Sequence, residues 1–237
     1  LKQLLLFDID GTLIDTGGVG LAALHDGLRL SFPSQAAGAL PALDLRGATD
    51  AGVIRTLFTA CAIADSPHNR GRFVEAYLQC LTLGLQDPVP PCAPRMLPGV
   101  DSLLAGLAQS PDRFTLGLLT GNLEAGAFAK LRRFAIDRYF RFGAYGLDHE
   151  DRLELGPIAL ERAKLATGRH FRPSETVIIG DTPRDIACAR AFGARCIAVS
   201  TGGFPAEELS GHQPDALLPG LHAPAQFIGI LDTLLAS

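Results

Sequence analysis

No apolar run in this chain approaches the roughly 20 residues that a membrane span needs, and the amino-terminal stretch is patterned as a buried strand rather than a signal peptide. Charge is scarce: 19% of residues are charged against 47% hydrophobic, which excludes a disordered polyelectrolyte and predicts a well-packed globular protein. A basic excess is missing as well, and a net charge of −4 argues against a general nucleic-acid binder. The cysteines lack any pattern. Cys61, Cys80, Cys92, Cys188 and Cys196 are odd in number with no C-x-x-C spacing, so they read as buried apolar thiols of a reducing compartment, not as a disulfide framework or zinc site. No internal repeat or low-complexity tract stands out. The expectation is a soluble, cytoplasmic protein without nucleic-acid or membrane partners, whose 237 residues allow one sizeable core plus a smaller appended domain.

Strand patterns are absent from one long stretch. Between Thr16 and Gln86 only helices are expected, over Val19–Leu30, Asp50–Ala62 and Arg72–Leu85, with Leu21, Leu24 and Leu28 on one side of the first. Phe73 and Tyr77 read as core of this helical part. Pro88, Pro90, Pro91, Pro94 and Pro98 then suit a hinge or linker. Elsewhere strands and helices alternate. Strands are predicted over Leu4–Phe7, Phe114–Leu119, a short stretch near Phe140–Tyr145, Thr176–Ile179 and Arg195–Val199. Helices are predicted over Pro98–Gln109, Leu123–Phe134, Leu155–Thr167, Pro183–Phe192 and Phe227–Leu235. Such alternation implies parallel strands with crossover helices on both faces. The fold class is therefore α/β, a Rossmann-like doubly wound parallel sheet formed by residues 1–15 and 96–237, with residues 16–95 inserted as an all-helical cap domain.

Ligands of such sheets bind beyond the carboxyl ends of the strands, and three of these ends carry polar clusters: Asp8/Asp10, Thr120/Asn122 and Asp181/Asp185. Asp8 and Asp10, two apart on a strand, point the same way, and their charges repel unless a cation or shared proton accommodates them. With Asp181 and Asp185 they make four carboxylates that this topology gathers at one edge. No histidine or cysteine joins them, and an all-oxygen set suits magnesium better than zinc.

The segments Asp8-Ile9-Asp10-Gly11-Thr12, Leu119-Thr120-Gly121-Asn122 and Gly180-Asp181-Thr182-Pro183-Arg184-Asp185 resemble, in order, three signature motifs of the haloacid dehalogenase-like hydrolase superfamily. The resemblance covers essentially the whole chain and is strongest to the phosphoglycolate phosphatase and β-phosphoglucomutase type, which carries a helical cap after the first motif. It implies that Asp8 is the nucleophile, forming an aspartyl-phosphate, and that Asp10 is the general acid and base. It also implies a Mg2+ ion held by Asp8, the backbone carbonyl of Asp10, Asp181 and, directly or through water, Asp185. Thr120 and the backbone N–H of Gly121 would bind phosphoryl oxygens, with Asn122 in support. As the family is known, dehalogenating and phosphonate-cleaving members lack an aspartate at the position of Asp10, so the resemblance implies a phosphate ester as substrate.

The chain departs from the family at the third motif, where a lysine is normal. The segment His149-Glu150-Asp151-Arg152-Leu153-Glu154-Leu155-Gly156-Pro157-Ile158 has none. Alignment on Pro157-Ile158 puts the catalytic cation near Arg152, with Lys164, about two turns into the next helix, as the alternative. In the helical insert, Leu45-Arg46-Gly47-Ala48-Thr49-Asp50 resembles the family's substrate-specificity segment. Arg46 and Gly47 are candidate substrate contacts, against a reading of Thr49 as a helix cap with Arg46 on the surface. His25 and Arg29 are expected on a solvated helix face. The expected activity is magnesium-dependent hydrolysis of a small phosphorylated metabolite. The alternatives are a phosphomutase and a catalytically weakened phosphometabolite-binding protein, and oligomeric state is beyond this reading.

Overall fold

The computed structural model describes residues 2–90 and 93–236. Pro91 and Cys92, two of the residues read above, lie outside the described residues. In chain order the strands are β1 (Gln3–Phe7), β2 (Ile14–Asp15), β3 (Arg95–Met96), β4 (Phe114–Leu119), β5 (Gly143–Ala144), β6 (Thr176–Gly180), β7 (Arg195–Val199) and β8 (Ala216–Leu218). The helices are α1 (Val19–Ser31), α2 (Asp50–Ala60), α3 (Pro67–Gln86), α4 (Val100–Ala108), α5 (Glu124–Arg132), α6 (Leu155–Thr167), α7 (Pro183–Phe192), α8 (Ala206–Gly211) and α9 (Pro224–Ala236).

Six strands form one parallel sheet in the order β5-β4-β1-β6-β7-β8. Every residue of β1 is buried, and its side chains divide by the two-residue period of a strand. Leu5 and Phe7 join a core with Val100, Leu104, Leu131 and Phe227, on the side of α4, α5 and α9. Leu4 and Leu6 join the opposite core with Leu155, Ala159, Ile186 and Ala189, from α6 and α7. A strand apolar on both faces belongs at the centre of a doubly covered sheet, and β1 lies there, between β4 and β6. Its register places Phe7 opposite Leu118 on one side and Ile179 on the other. Asp8, Thr120 and Asp181 therefore emerge together along one edge.

A third core belongs to the helical segment, where Leu24, Leu28, Ile54, Phe58, Phe73 and Leu81 come from α1, α2 and α3. Phe58 meets both Phe32 and Phe73 edge to face, and Tyr77 stacks on Phe73. β2 and β3 pair antiparallel where the chain leaves and re-enters the α/β part, with Ile14 opposite Met96 and Asp15 opposite Arg95.

Several expected bounds move, for local reasons. α3 begins at Pro67 rather than Arg72, because Ser66 accepts the N–H of Asn69 and proline suits a first turn. α4 starts at Val100, after a turn at Pro98 and Gly99, and α9 starts at Pro224 rather than Phe227. α2 stops at Ala60 because Ala62 takes a positive φ of 51°. The strand near Phe140–Tyr145 shrinks to Gly143–Ala144, and the hinge region contains the short β3. β8 and α8 had no clear pattern in the sequence. Leu21 is exposed rather than aligned with buried Leu24 and Leu28, and Arg29 is on the surface, paired with Asp26, beside a half-buried His25. Cys188 and Cys196 are buried, whereas Cys61 and Cys80 are only half-buried. No helix among the described residues is long and apolar enough to cross a membrane.

Candidate active site

The carboxyl edge of β1, β4 and β6 opens into a cavity of about 540 Å³, closed from above by the helical segment. Asp8, Asp10, Thr120, Arg152 and Asp181 all line it. After β1 the chain turns sharply: Gly11 has a φ of +79°, its N–H donates to the carbonyl of Ile14, and an added Cβ would sit 2.4 Å from Asp181 Oδ2. Glycine is needed there for both conformation and space. Thr12 donates its hydroxyl to Asp181 Oδ1 at 3.1 Å, fixing that carboxylate.

Asp8, Asp181 and Asp185 are buried, and one oxygen from each lies within 4.8 Å of the others. Burial raises the pKa of Asp8 from 3.8 to about 6, with Asp185 and Asp10 adding repulsion and Arg152 opposing it. Burial also pushes Asp181 well up, assisted by Asp8 and Asp185. Three crowded, buried carboxylates, two of which resist ionising, are a donor set suited to added positive charge. A hard divalent cation with oxygen ligands fits it. The Asp10 side chain is not part of this group and is held instead by Asn122 and Lys130.

Arg152 lies in a short 3-10 turn, Arg152–Glu154, before α6. Its buried guanidinium donates to Asp185 Oδ1 at 2.5 Å and stands 3.3 Å from Asp8 Oδ2. Burial by itself discourages the charge, but Asp185 and Asp8 hold the Arg152 pKa above its ordinary value. The other Asp185 oxygen accepts the N–H and hydroxyl of Thr182, so the capping of α7 also orients this carboxylate. Lys164 is far less enclosed, with its ammonium 3.7 Å from Glu161 on the outer face of α6.

One buried cation escaped the sequence reading. Lys130 on α5 donates to Asp10 Oδ2 at 2.7 Å and to Asn122 Oδ1 at 2.6 Å, while Asn122 Nδ2 donates to the same Asp10 oxygen at 2.8 Å. Asn122 also donates to Thr120 Oγ1 at 2.9 Å, which links the first and second motifs. A signal existed. Leu123, Ala127, Lys130 and Leu131 share one helical stripe and are all buried, so Lys130 is a charge on an apolar face.

The helical segment docks through the N-terminus of α2. Thr49 caps the helix by accepting the N–H of Gly52, and its hydroxyl donates to the carbonyl of Glu150. The N–H groups of Asp50 and Ala51, which a helix start leaves unpaired, donate to the carbonyls of Gly121 and Gly146. In return the N–H of Leu123 donates to Asp50 Oδ2 at 2.7 Å. Gly121 is required by this closeness, since an added Cβ would fall 1.8 Å from the Ala48 carbonyl oxygen. Gly47 and Arg46 also line the cavity. The Arg46 guanidinium is exposed, forked onto Asp44 at 2.8 and 3.1 Å, and lies over the Phe204 ring. It joins the helical segment to the α/β part at the rim rather than deep in the cavity.

A family model described as haloacid dehalogenase-like hydrolase matches residues 5–199. Among relatives, a probable phosphatase IndB of Dickeya dadantii is 28% identical, with 92% of this chain and 90% of that protein covered. A phosphoglycolate phosphatase of Photorhabdus laumondii is also 28% identical, covering 94% and 91%. Among solved structures, a β-phosphoglucomutase from Clostridium difficile superposes over the full length of both chains with a TM-score of 0.72 at 14% identity, which is a likeness of fold. With its parallel sheet, its carboxylates at the central strand ends and a family match across most of its length, this chain belongs to the haloacid dehalogenase-like hydrolases.

Proposed function

We propose that the protein is a magnesium-dependent phosphomonoesterase that hydrolyses a small phosphorylated metabolite through an aspartyl-phosphate on Asp8. The observation that carries this reading is the convergence of Asp8, Asp10, Thr120, Arg152 and Asp181 on one cavity. In the first step an Asp8 oxygen attacks phosphorus, and Asp10 gives a proton to the departing alcohol oxygen. In the second, Asp10 takes a proton from the water that attacks the phosphoryl group and frees Asp8. Lys130 and Asn122 both hold Asp10 Oδ2, so the travelling proton is carried on Oδ1. Thr120, its own oxygen already accepting from Asn122, has its hydroxyl proton to offer a phosphoryl oxygen. Arg152 offsets the charge gathered on Asp8 and phosphate. Asp8, Asp181 and Asp185, with the Asp10 carbonyl, would hold Mg2+, which supplies charge neutralisation and a template for the phosphate. Residues 16–95 act as the cap that covers this chemistry.

The relatives' names make phosphoglycolate the first compound to assay. A phosphomutase would share all these residues, and release of free inorganic phosphate separates the two activities. Arg152, 3.3 Å from Asp8 Oδ2, supports the hydrolase over a weakened binding protein, which would release no phosphate from any ester.

The decisive experiment is phosphate release from an aryl phosphate with Mg2+ and with EDTA. Activity is expected only with the ion, and equal rates in EDTA would overturn the metal-assisted mechanism. The raised carboxylates add a pH signature. A carboxyl held at about 6 in the fold but near 4 when unfolded binds its proton more tightly in the folded state. Stability is therefore lost as pH rises from about 4 to about 6, and the penalty is complete above that. Mg2+ removes this penalty, so the rise in Tm on adding the ion should be larger about 1.5 units above the Asp8 pKa of about 6 than about one unit below it. An equal rise at both would contradict it.

Lys130→Met should lower kcat by roughly two orders of magnitude with little change in KM. The loss is expected because the acid/base group loses its anchor while the phosphate contacts persist. A change confined to KM would assign Lys130 to substrate binding instead.

A further inference from the structure

The cavity extends beyond the aspartates into the helical segment, where Leu24, Leu45 and Val53 form an apolar wall around Asp50 and Tyr77. The charges there are uneven. Each cation lining the cavity already has a carboxylate partner: Arg46 with Asp44 at 2.8 Å, Arg95 with Asp15 at 3.0 Å, Lys130 with Asp10 at 2.7 Å, and Arg152 with Asp8 and Asp185. Asp50 is the reverse. It forms no ion pair among the described residues, and the N–H of Leu123 occupies only Oδ2, leaving Oδ1 without a partner. Tyr77 is 2% exposed with its ring against Phe73, and its hydroxyl has no hydrogen-bond partner among the described residues. A hydroxyl and a carboxylate oxygen that line the same cavity and have no protein partner are open to a ligand.

We propose that Asp50 and Tyr77 form a subsite at the cap end of the cavity that reads a hydrogen-bond-donating group, hydroxyl or ammonium, on the leaving alcohol and rejects a carboxylate there. Asp50 accepts the donor at Oδ1, and the Tyr77 hydroxyl completes the contact. A carboxylate in the same place meets the Asp50 charge, and the nearest cation, Lys130, is already bound to Asp10. The states of both groups suit this role. Burial raises Asp50 to about 6, which leaves it largely ionised at neutral pH, and raises Tyr77 well above 10.0, which keeps it a neutral hydroxyl able to accept from an ammonium or to donate to a hydroxyl. The inference rests on the phosphatase reading, which it narrows away from phosphoglycolate itself.

The test uses a matched trio, hydroxyethyl phosphate, aminoethyl phosphate and phosphoglycolate, together with the same trio lengthened by one methylene. Wild-type kcat/KM should be at least about tenfold higher for a donor-bearing member than for the carboxylate of the same length. Asp50→Asn keeps an acceptor for the Leu123 N–H but removes the charge, and it should close the gap mainly by raising the carboxylate rate. Tyr77→Phe should close it by lowering the rate of the preferred compound. Which of hydroxyl and ammonium is faster identifies the donor. Binding of the same compounds to Asp8→Asn with saturating Mg2+, by calorimetry, should follow the same order. A carboxylate handled as well as its donor-bearing partner in both turnover and binding would overturn the subsite. So would a ratio unmoved by both variants at unchanged Tm. Absence of phosphate release from the trio and from an aryl phosphate would instead sink the phosphatase reading, and the binding order on Asp8→Asn would still judge the subsite.

Discussion

Asp8→Asn is expected to reduce magnesium-dependent phosphate release by at least about 10⁴-fold, because an amide of the same shape cannot form the acyl phosphate. Stability should respond in the opposite sense. Asp8 is crowded against Asp181 and Asp185, and its pKa of about 6 records the cost of charging it in the fold. That cost is relieved when the carboxylate is replaced by a neutral amide. Losing the Arg152 pairing takes back part of it. In EDTA above pH 7 (comfortably past the pKa of about 6), the variant should therefore melt no lower than wild type, while the stabilisation by added Mg2+ shrinks. Activity assays and thermal melts of the same preparations check both halves. Retained turnover would remove Asp8 from the role of nucleophile.

Arg152→Ala should be damaging in both respects. It leaves Asp8 and Asp185 buried without the cation lying 3.3 and 2.5 Å from them, and breaking such a pair costs about 3–5 kcal/mol. The phosphoryl group also loses a fixed positive charge, a change that costs about 10²–10³ in kcat where a single stabilising donor is removed. Arg152→Lys should restore part of the activity, since charge is kept and the fork is not. Lys164→Ala should stay within about 0.5 kcal/mol of wild type and keep its turnover, because the ammonium is half-exposed and, among the described residues, pairs only with Glu161. Steady-state kinetics with denaturant melts rank the two sites. The reverse ranking would mean that the third motif lies elsewhere.

Much of the architecture is visible in local patterns. The apolar runs ending in Asp8, Thr120 and Asp181 are strands of a parallel sheet, since both faces of such strands are buried and the run is continuous. Once strands are parallel, their carboxyl ends share an edge, so the convergence of these three residues follows from element type alone. Helix and strand ends are less legible because caps such as Ser66, and short pairings such as β2 with β3, depend on one or two contacts.

Side-chain partnerships are where local pattern stops. Lys130 sits two positions before Arg132 and three before Arg133 and looks like its neighbours, until the fold brings Asp10, 120 residues away, onto the buried face of α5. Asp50 reads as a favourable first-turn acid on α2. Only the docking of that turn on Gly121 and Leu123 makes it part of the cavity wall. Arg46 reads equally as a substrate contact or a surface residue, and its neighbours Asp44 and Phe204 occupy it at the rim. The order of the motifs, their acidic residues at the strand ends and the helices between β2 and β3 were thus written in the chain as periodicity and spacing. Which cation meets which carboxylate, and which polar groups remain unpaired in the cavity, was decided by three-dimensional contact, because electrostatic pairing depends on distance through space and not along the chain.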